Sequence, residues 1–370
     1  MRQIELRKFC TMLIVRSPVR ISFAGGGTDL PAYFEEFGGA VLSTAINKYF
    51  YTILGKRRDG RVQVISSDLR IFETWQDIVA MSAKDKDNEL EIPLAVLKDL
   101  GRDIALDMFL ASEIPPGTGL GSSASVCVGI LRALTAHLKI PLSQYELAER
   151  SFHIVRNSLG RQIGKQDGYA AAFGGLNFVT FYRDGAVLVE PLTLDAEIIR
   201  ELQSNLLLYF TGSAHHSSAI LKGQQKATSN HTRSAVDALH EVRKLADRMR
   251  GALGSGKLSA FGSMLDEAWQ AKKRVSRGIS TSRIDQLYRL AREHGALGGK
   301  ITGAGGGGCL LLYCEPEHQE SLRVAMASTG IIEMSFAFDS QGAQVIVNDP
   351  SIVSHEQGGR RSTVTPASAA

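Results

Sequence analysis

No stretch of this 370-residue chain approaches the roughly 20 consecutive apolar residues that span a bilayer; a run such as Val126–Leu134 is far shorter and is interrupted by Arg132. A membrane role is therefore not expected. Cysteine is scarce: Cys10, Cys127, Cys309 and Cys314 form no C-x-x-C pair and have no histidine at zinc-ligand spacing. Neither a disulfide framework nor a structural metal follows. Charge of one sign is also lacking, with 42 Lys and Arg against 38 Asp and Glu, a net +4. The basic residues are dispersed without interleaved aromatics, whereas nucleic-acid binding needs a concentrated patch. The first eight residues carry no apolar secretory core, so the cytoplasm is the expected compartment.

What is present fits folded α+β protein. Hydrophobic residues make up 44% and charged residues 22%, ordinary proportions for a globular chain. The length suits two domains, here expected over 1–182 and 183–349, with a Ser, Thr, Ala and Pro-rich tail at 350–370 expected to be disordered. Strands are predicted over 13–23, 41–54 (with a break near Asn47), 63–67, 104–112 and 206–210. Helices are predicted from Ser122, over 143–158 behind a Ser143/Glu146 capping box, and over 229–253, 258–274 and 282–294. Strand and helix mix without strict βαβ alternation, which argues α+β.

Chemistry concentrates in three glycine-rich segments. Pro116-Gly117-Thr118-Gly119-Leu120-Gly121-Ser122-Ser123 lies between a predicted strand and a predicted helix. Glycines let main-chain N–H groups approach a ligand, and the helix start adds a positive dipole end, so together they form an anion site. Two better-known phosphate loops are absent: no G-x-x-x-x-G-K-[ST] occurs, and the glycines lack the early strand and later acidic residue of a dinucleotide fold. The second segment is Pro18-Val19-Arg20-Ile21-Ser22-Phe23-Ala24-Gly25-Gly26-Gly27-Thr28-Asp29, and the third is Lys300-Ile301-Thr302-Gly303-Ala304-Gly305-Gly306-Gly307-Gly308.

In order and content these three segments resemble the three signatures of the GHMP kinases (galactokinase, homoserine kinase, mevalonate kinase and phosphomevalonate kinase). Within that family, Gly25-Gly26-Gly27-Thr28-Asp29-Leu30-Pro31, Gly164-Lys165-Gln166-Asp167 and Tyr169-Ala170-Ala171-Ala172-Phe173-Gly174-Gly175 are most similar to the heptose 7-phosphate kinases. The resemblance implies an N-terminal domain related to the second domain of ribosomal protein S5 and a ferredoxin-like C-terminal domain, with ATP, Mg²⁺ and a sugar phosphate in the cleft between them. It implies an ATP-dependent kinase acting on the anomeric hydroxyl of D-glycero-D-manno-heptose 7-phosphate, as a monomer or homodimer. By the same resemblance Asp167 is the general base and Arg20 its neighbouring cation. Residues Pro116 to Ser123 hold ATP, and Ser123 reaches Mg²⁺. Gly26, Gly27, Thr28, Asp29, Gly303, Ala304, Gly305 and Gly306 face the sugar, while Lys273, like Lys272, is a candidate for its phosphate end. His215 and His216 follow a loop near this region without an assigned role.

One position departs from the pattern. The family carries a Mg²⁺-binding glutamate where this chain has Val155, which offers no ligand atom. Glu149, six residues earlier, points about 120° away on a regular helix. Three readings stay open: a working kinase with an altered metal shell, a kinase for a hexose or fucose-like sugar, and a non-catalytic relative that binds nucleotide or sugar.

Overall fold

The computed structural model describes residues 12–82, 90–212 and 217–348; Cys10, His215, His216 and the 350–370 tail lie outside them. Two β-sheets organise the chain. In the eight-stranded sheet the strand Met12–Ala24 lies between Gly39–Lys56 and the late strand Gln344–Asn348. The sheet continues through Leu106–Ser112, Val62–Ser66 and Ile71–Trp75, and a hairpin of Leu176–Phe181 and Val187–Pro191 joins Gly39–Lys56. The four-stranded antiparallel sheet runs Ile332–Glu333, Leu206–Phe210, Cys309–Cys314, Ala296–Ile301.

The strand predicted to break near Asn47 is one long strand with a slip in its pairing. Pro18 faces Tyr49 while Val19 faces Ile46, leaving Asn47 and Lys48 as the extra residues. Proline cannot donate to the ladder, so the irregularity falls beside Pro18. The capping box is formed: Ser143 Oγ accepts from the Glu146 N–H and Glu146 reaches back to the Ser143 N–H. That helix runs regularly only over Gln144–His153 and ends in a π-helical turn, Ile154–Ser158. The helix predicted over 229–253 runs Arg233–Gly254, and a separate helix, Ser217–Ser229, ends just before it at a turn through His231, whose φ is +50°.

The boundary expected at 183 falls in the turn of the hairpin that belongs to the first sheet. The chain later returns to that sheet through Gln344–Asn348. The two sheets therefore share a core rather than meeting at a linker. Val19, Ile21 and Phe23 of the first strand pack with Leu245, Phe261 and Tyr313 from the second half. The Phe23 and Phe261 rings meet edge to face at 5.2 Å. Burying these apolar faces sets the first and third glycine segments side by side.

Candidate active site

Glycine lets two loops touch backbone to backbone. Gly119 and Gly303 have φ of +74° and +66°, and a Cβ on Gly303 would stand 2.7 Å from the Gly119 Cα. Thr118 sits behind this contact: its carbonyl accepts from Cys309 N–H and Thr302 Oγ1. Leu120 is buried, and its carbonyl accepts from the Arg20 N–H at 3.0 Å. The helix Ser122–His137 starts immediately afterwards, with no side-chain cap and no acidic residue in its first turn. Its leading N–H groups are thus open to an anion.

Arg20 projects from the first strand onto Asp167, in the first turn of the helix Gln166–Phe173. Arg20 Nε and Nη2 both donate to Asp167 Oδ1, at 2.7 and 2.6 Å, while Nη1 donates to the Gly119 carbonyl at 2.7 Å. One guanidinium therefore ties the first and second glycine segments to Asp167. Arg20 is 4% exposed and Asp167 23%, so the carboxylate keeps an open side.

Two lysines complete the positive wall. Lys272 is buried at the end of the helix Leu258–Lys273 and donates to the Gly303 carbonyl. Lys300, from the strand Ala296–Ile301, donates to the Ser22 and Phe23 carbonyls at 2.8 and 3.1 Å. Burial, with the Arg20 charge adding to it, pushes the Lys272 ammonium down to about 8. Burial pushes Lys300 well down too, helped by Lys272 and Arg20. A site that crowds three cations this closely is built for an anion.

Two cavities meet here. The polar one, of about 170 Å³, is lined by Arg20, Asp167, Lys272 and Lys300 together with Gly26, Gly27, Gly303 and Ala304. The other, of about 240 Å³, is lined chiefly by apolar groups, among them Leu90, Ile92, Leu110 and Val126, and by Pro116. Ser122 and Ser123 line both.

Several expected residues stand elsewhere. Thr28 Oγ1 is spent on the Gly25 and Ala40 carbonyls. Asp29 is 2% exposed and accepts from the Gly27 and Gln166 N–H groups at 2.8 and 3.2 Å. It pins the first glycine segment to the Asp167 helix, and burial, then the Asp167 charge, pushes its carboxyl up. Gly305 and Gly306 back onto Ile279 and do not line the polar cavity. Lys273 points away from the cavity to Asp285, at 3.7 Å, beside the Trp269 ring; the cavity lysine is its neighbour Lys272.

Sequence reasoning missed Lys300 as a cavity group, although it opens the third segment. It also missed Ser22 and Gln166, which line the polar cavity with Oγ and Oε1 buried and unpartnered. Both lie inside recognised motifs, but no local pattern tells which face of a strand or helix looks into a cleft.

Mg²⁺ as a carboxylate-held ion does not fit these residues. Val155 is fully buried in the apolar core of the first sheet. Glu149 is engaged by Lys165 Nζ at 2.7 Å and the Tyr169 hydroxyl at 2.5 Å. Ser123 Oγ accepts from Arg161 Nη1 at 3.0 Å. A cation about 4 Å from that guanidinium meets a repulsion on the order of 4 kcal/mol per unit charge. Among the described residues no three His, Cys, Asp or Glu side chains are placed to share a metal. No helix there is long and apolar enough to cross a membrane.

Comparison with known proteins agrees with this geometry. The family described as GHMP kinases N terminal domain matches residues 91–175, and GHMP kinases C terminal matches 249–332. The D-glycero-alpha-D-manno-heptose 7-phosphate kinase of Campylobacter jejuni is 30% identical over 334 residues, 89% of this chain and 97% of that protein. The L-fucokinase/L-fucose-1-P guanylyltransferase of Bacteroides fragilis is 25% identical over 84% of this chain but only 35% of its own length. The crystal structure of a D-glycero-D-manno-heptose 1-phosphate kinase from Bacteroides thetaiotaomicron superposes with a TM-score of 0.75 at 29% identity, covering 90% of this chain and 98% of that one. A likeness that runs through both sheets and all three glycine segments makes this chain a member of the GHMP kinase family of ATP-dependent phosphotransferases, with the two-domain α+β fold of that family.

Proposed function

We propose that this kinase transfers the γ-phosphoryl group of ATP to the anomeric hydroxyl of D-glycero-D-manno-heptose 7-phosphate, giving the 1,7-bisphosphate. The observation that carries the reading is the Arg20–Asp167 pair, set between an open helix N-terminus and two buried lysines. A relative 30% identical over nearly its whole length is a heptose 7-phosphate kinase, which supports this acceptor.

In this reading the adenine occupies the apolar cavity and the triphosphate crosses Ser122 and Ser123 over the helix start. The sugar lies in the polar cavity, where Gln166 Oε1 can accept from a hydroxyl and Ser22 Oγ can pair with another. Asp167 accepts the proton of the attacking hydroxyl through its open side, while Arg20 fixes its orientation. The acceptor oxygen bonds to the γ-phosphorus as the bond from that phosphorus to the bridging oxygen breaks, and ADP departs with the electron pair. Such transfers depend on positioning and on charge around the moving phosphoryl group more than on basicity. Lys272 and Lys300 supply that charge from fixed, buried positions. Any Mg²⁺ would be carried by the triphosphate and water, since among the described residues no three His, Cys, Asp or Glu side chains are placed to share it. We place the enzyme in the cytoplasm.

The test is ADP release with ATP and a panel of heptose 7-phosphate, fucose, galactose and mevalonate, with products followed by ³¹P NMR. A new anomeric phosphate resonance from the heptose alone is expected. Nucleotide binding without ADP release from any acceptor would restore the non-catalytic reading. Turnover on fucose alone would move the acceptor to the fucose-like class.

A further inference from the structure

Arg161 lies in the loop between the π-helical turn Ile154–Ser158 and the helix that carries Asp167. Its backbone N–H donates to the Val155 carbonyl at 3.1 Å. The position that lacks a metal-binding side chain thus anchors the base of an arginine through its main chain. Arg161 Nη1 donates to Ser123 Oγ at 3.0 Å, and Nη2 pairs with Glu91. The loop is braced by Arg156, which bonds Gln162 Oε1 and the Ile163 carbonyl, each at 3.5 Å. Arg161 lines the apolar cavity and touches the serine shared by both cavities, so its charge stands at the seam the triphosphate must cross.

We propose that Arg161 is a phosphate-binding cation of this kinase, gripping the nucleotide's polyphosphate at Ser123 and supplying charge neutralisation that a carboxylate-held metal would otherwise provide. The inference rests on the reading of the chain as an ATP-dependent kinase with its triphosphate at Ser123. A guanidinium has five donors in a planar fork that matches phosphate oxygens, so it can keep Ser123 and still take a phosphate. Glu91 pairs with the same guanidinium. It is exchanged for phosphate when nucleotide arrives, because the two anions compete for the same donors. Ser123 keeps its own O–H to donate to the same phosphate.

The experiment is calorimetric titration of the full chain with AMP-PNP, once in Mg²⁺ and once in EDTA. Wild type is expected to keep its affinity in EDTA within about fivefold of that in Mg²⁺. Arg161→Gln is expected to lose about tenfold or more in EDTA, the range for a hydrogen bond between charged groups. Arg161→Lys is expected to recover part of that loss, and Glu91→Gln, which removes the competing anion, to bind more tightly than wild type in EDTA. Circular dichroism melts report folding, and should Arg161→Gln not fold, Arg161→Lys and Glu91→Gln carry the test. Arg161→Gln or Glu91→Gln binding as wild type does in EDTA would overturn the role of Arg161 and leave the kinase reading intact. Failure of wild type to bind AMP-PNP in either buffer would sink the kinase reading and this inference with it.

Discussion

The polar and apolar cavities share Ser122 and Ser123 but are built from opposite materials. One gathers Arg20, Asp167, Lys272 and Lys300, with Arg20 and Lys272 donating to the Gly119 and Gly303 carbonyls. The other is walled by Leu90, Ile92, Leu110 and Val126. An apolar cavity binds a flat ring by excluding water from it, and that contribution is nearly indifferent to pH. A polar cavity works through fixed charge and is sensitive to every proton. The division assigns holding to one side and chemistry to the other. Substitutions should therefore separate binding from turnover according to the side they touch.

The largest separation is expected from Asp167→Asn. The amide is isosteric but cannot take a proton, so kcat should fall by about 10²–10⁴-fold while AMP-PNP affinity, set on the apolar side, changes less than about threefold. Stopped assays of ADP release beside calorimetry measure both, and equal losses in the two would break the division.

Lys272 offers a smaller effect with a distinctive pH signature. Its ammonium titrates at about 8 in the free protein because of burial and Arg20, so kcat/KM for ATP should decline as pH rises through that value. Lys272→Met should lower kcat by about 10²-fold and abolish the decline. Stability should respond with the opposite sign. Between about pH 8 and the ordinary lysine value, the unfolded chain holds a proton the folded chain has lost, so this group adds stability as pH rises. Urea midpoints at pH 7.5 and 9.5, taken as the difference between wild type and Lys272→Met, isolate that proton. Lys273→Ala is the matched control on the adjacent residue, with an effect no larger than that of an exposed ion pair, about 1 kcal/mol or less.

The mildest test touches the apolar side. Val126→Phe puts a ring into the cavity and should weaken AMP-PNP by about 10-fold through overpacking, leaving the KM for the sugar phosphate unchanged. A shift in the sugar KM as large as that for ATP would mean that the two cavities bind one ligand.

Much of this site was legible before the fold. The glycine segments announce themselves because tight turns and backbone approach to anions admit few other residues, and Asp167 is marked by the text around it. The roles of Asp29 and Lys273 were not legible. Asp29 lies in a glycine-rich motif, yet its oxygens are consumed by Gly27 and Gln166 N–H groups. Lys272 and Lys273 are adjacent on a helix, where successive side chains diverge by about 100°, so only packing of that helix against the second sheet tells which enters the cleft. The π-helical turn at Ile154–Ser158 was equally hidden, since one extra residue in a turn leaves no periodic signal.

By itself the sequence determined the family, the α+β class and the position of the phosphate loop, because those depend on local backbone chemistry and on residues close together in the chain. The tertiary structure alone decided which charges share a cavity. Arg20 and Asp167 are 147 residues apart and Lys300 lies 278 residues from Ser22, and it is the apolar core joining the two sheets that brings them within reach. The same holds for Val155. Its sequence shows only a missing ligand, whereas the fold buries its side chain and uses its carbonyl to hold Arg161 beside Ser123. Side-chain identity is written in the chain, but the direction a side chain faces is set by the packing of the elements that carry it.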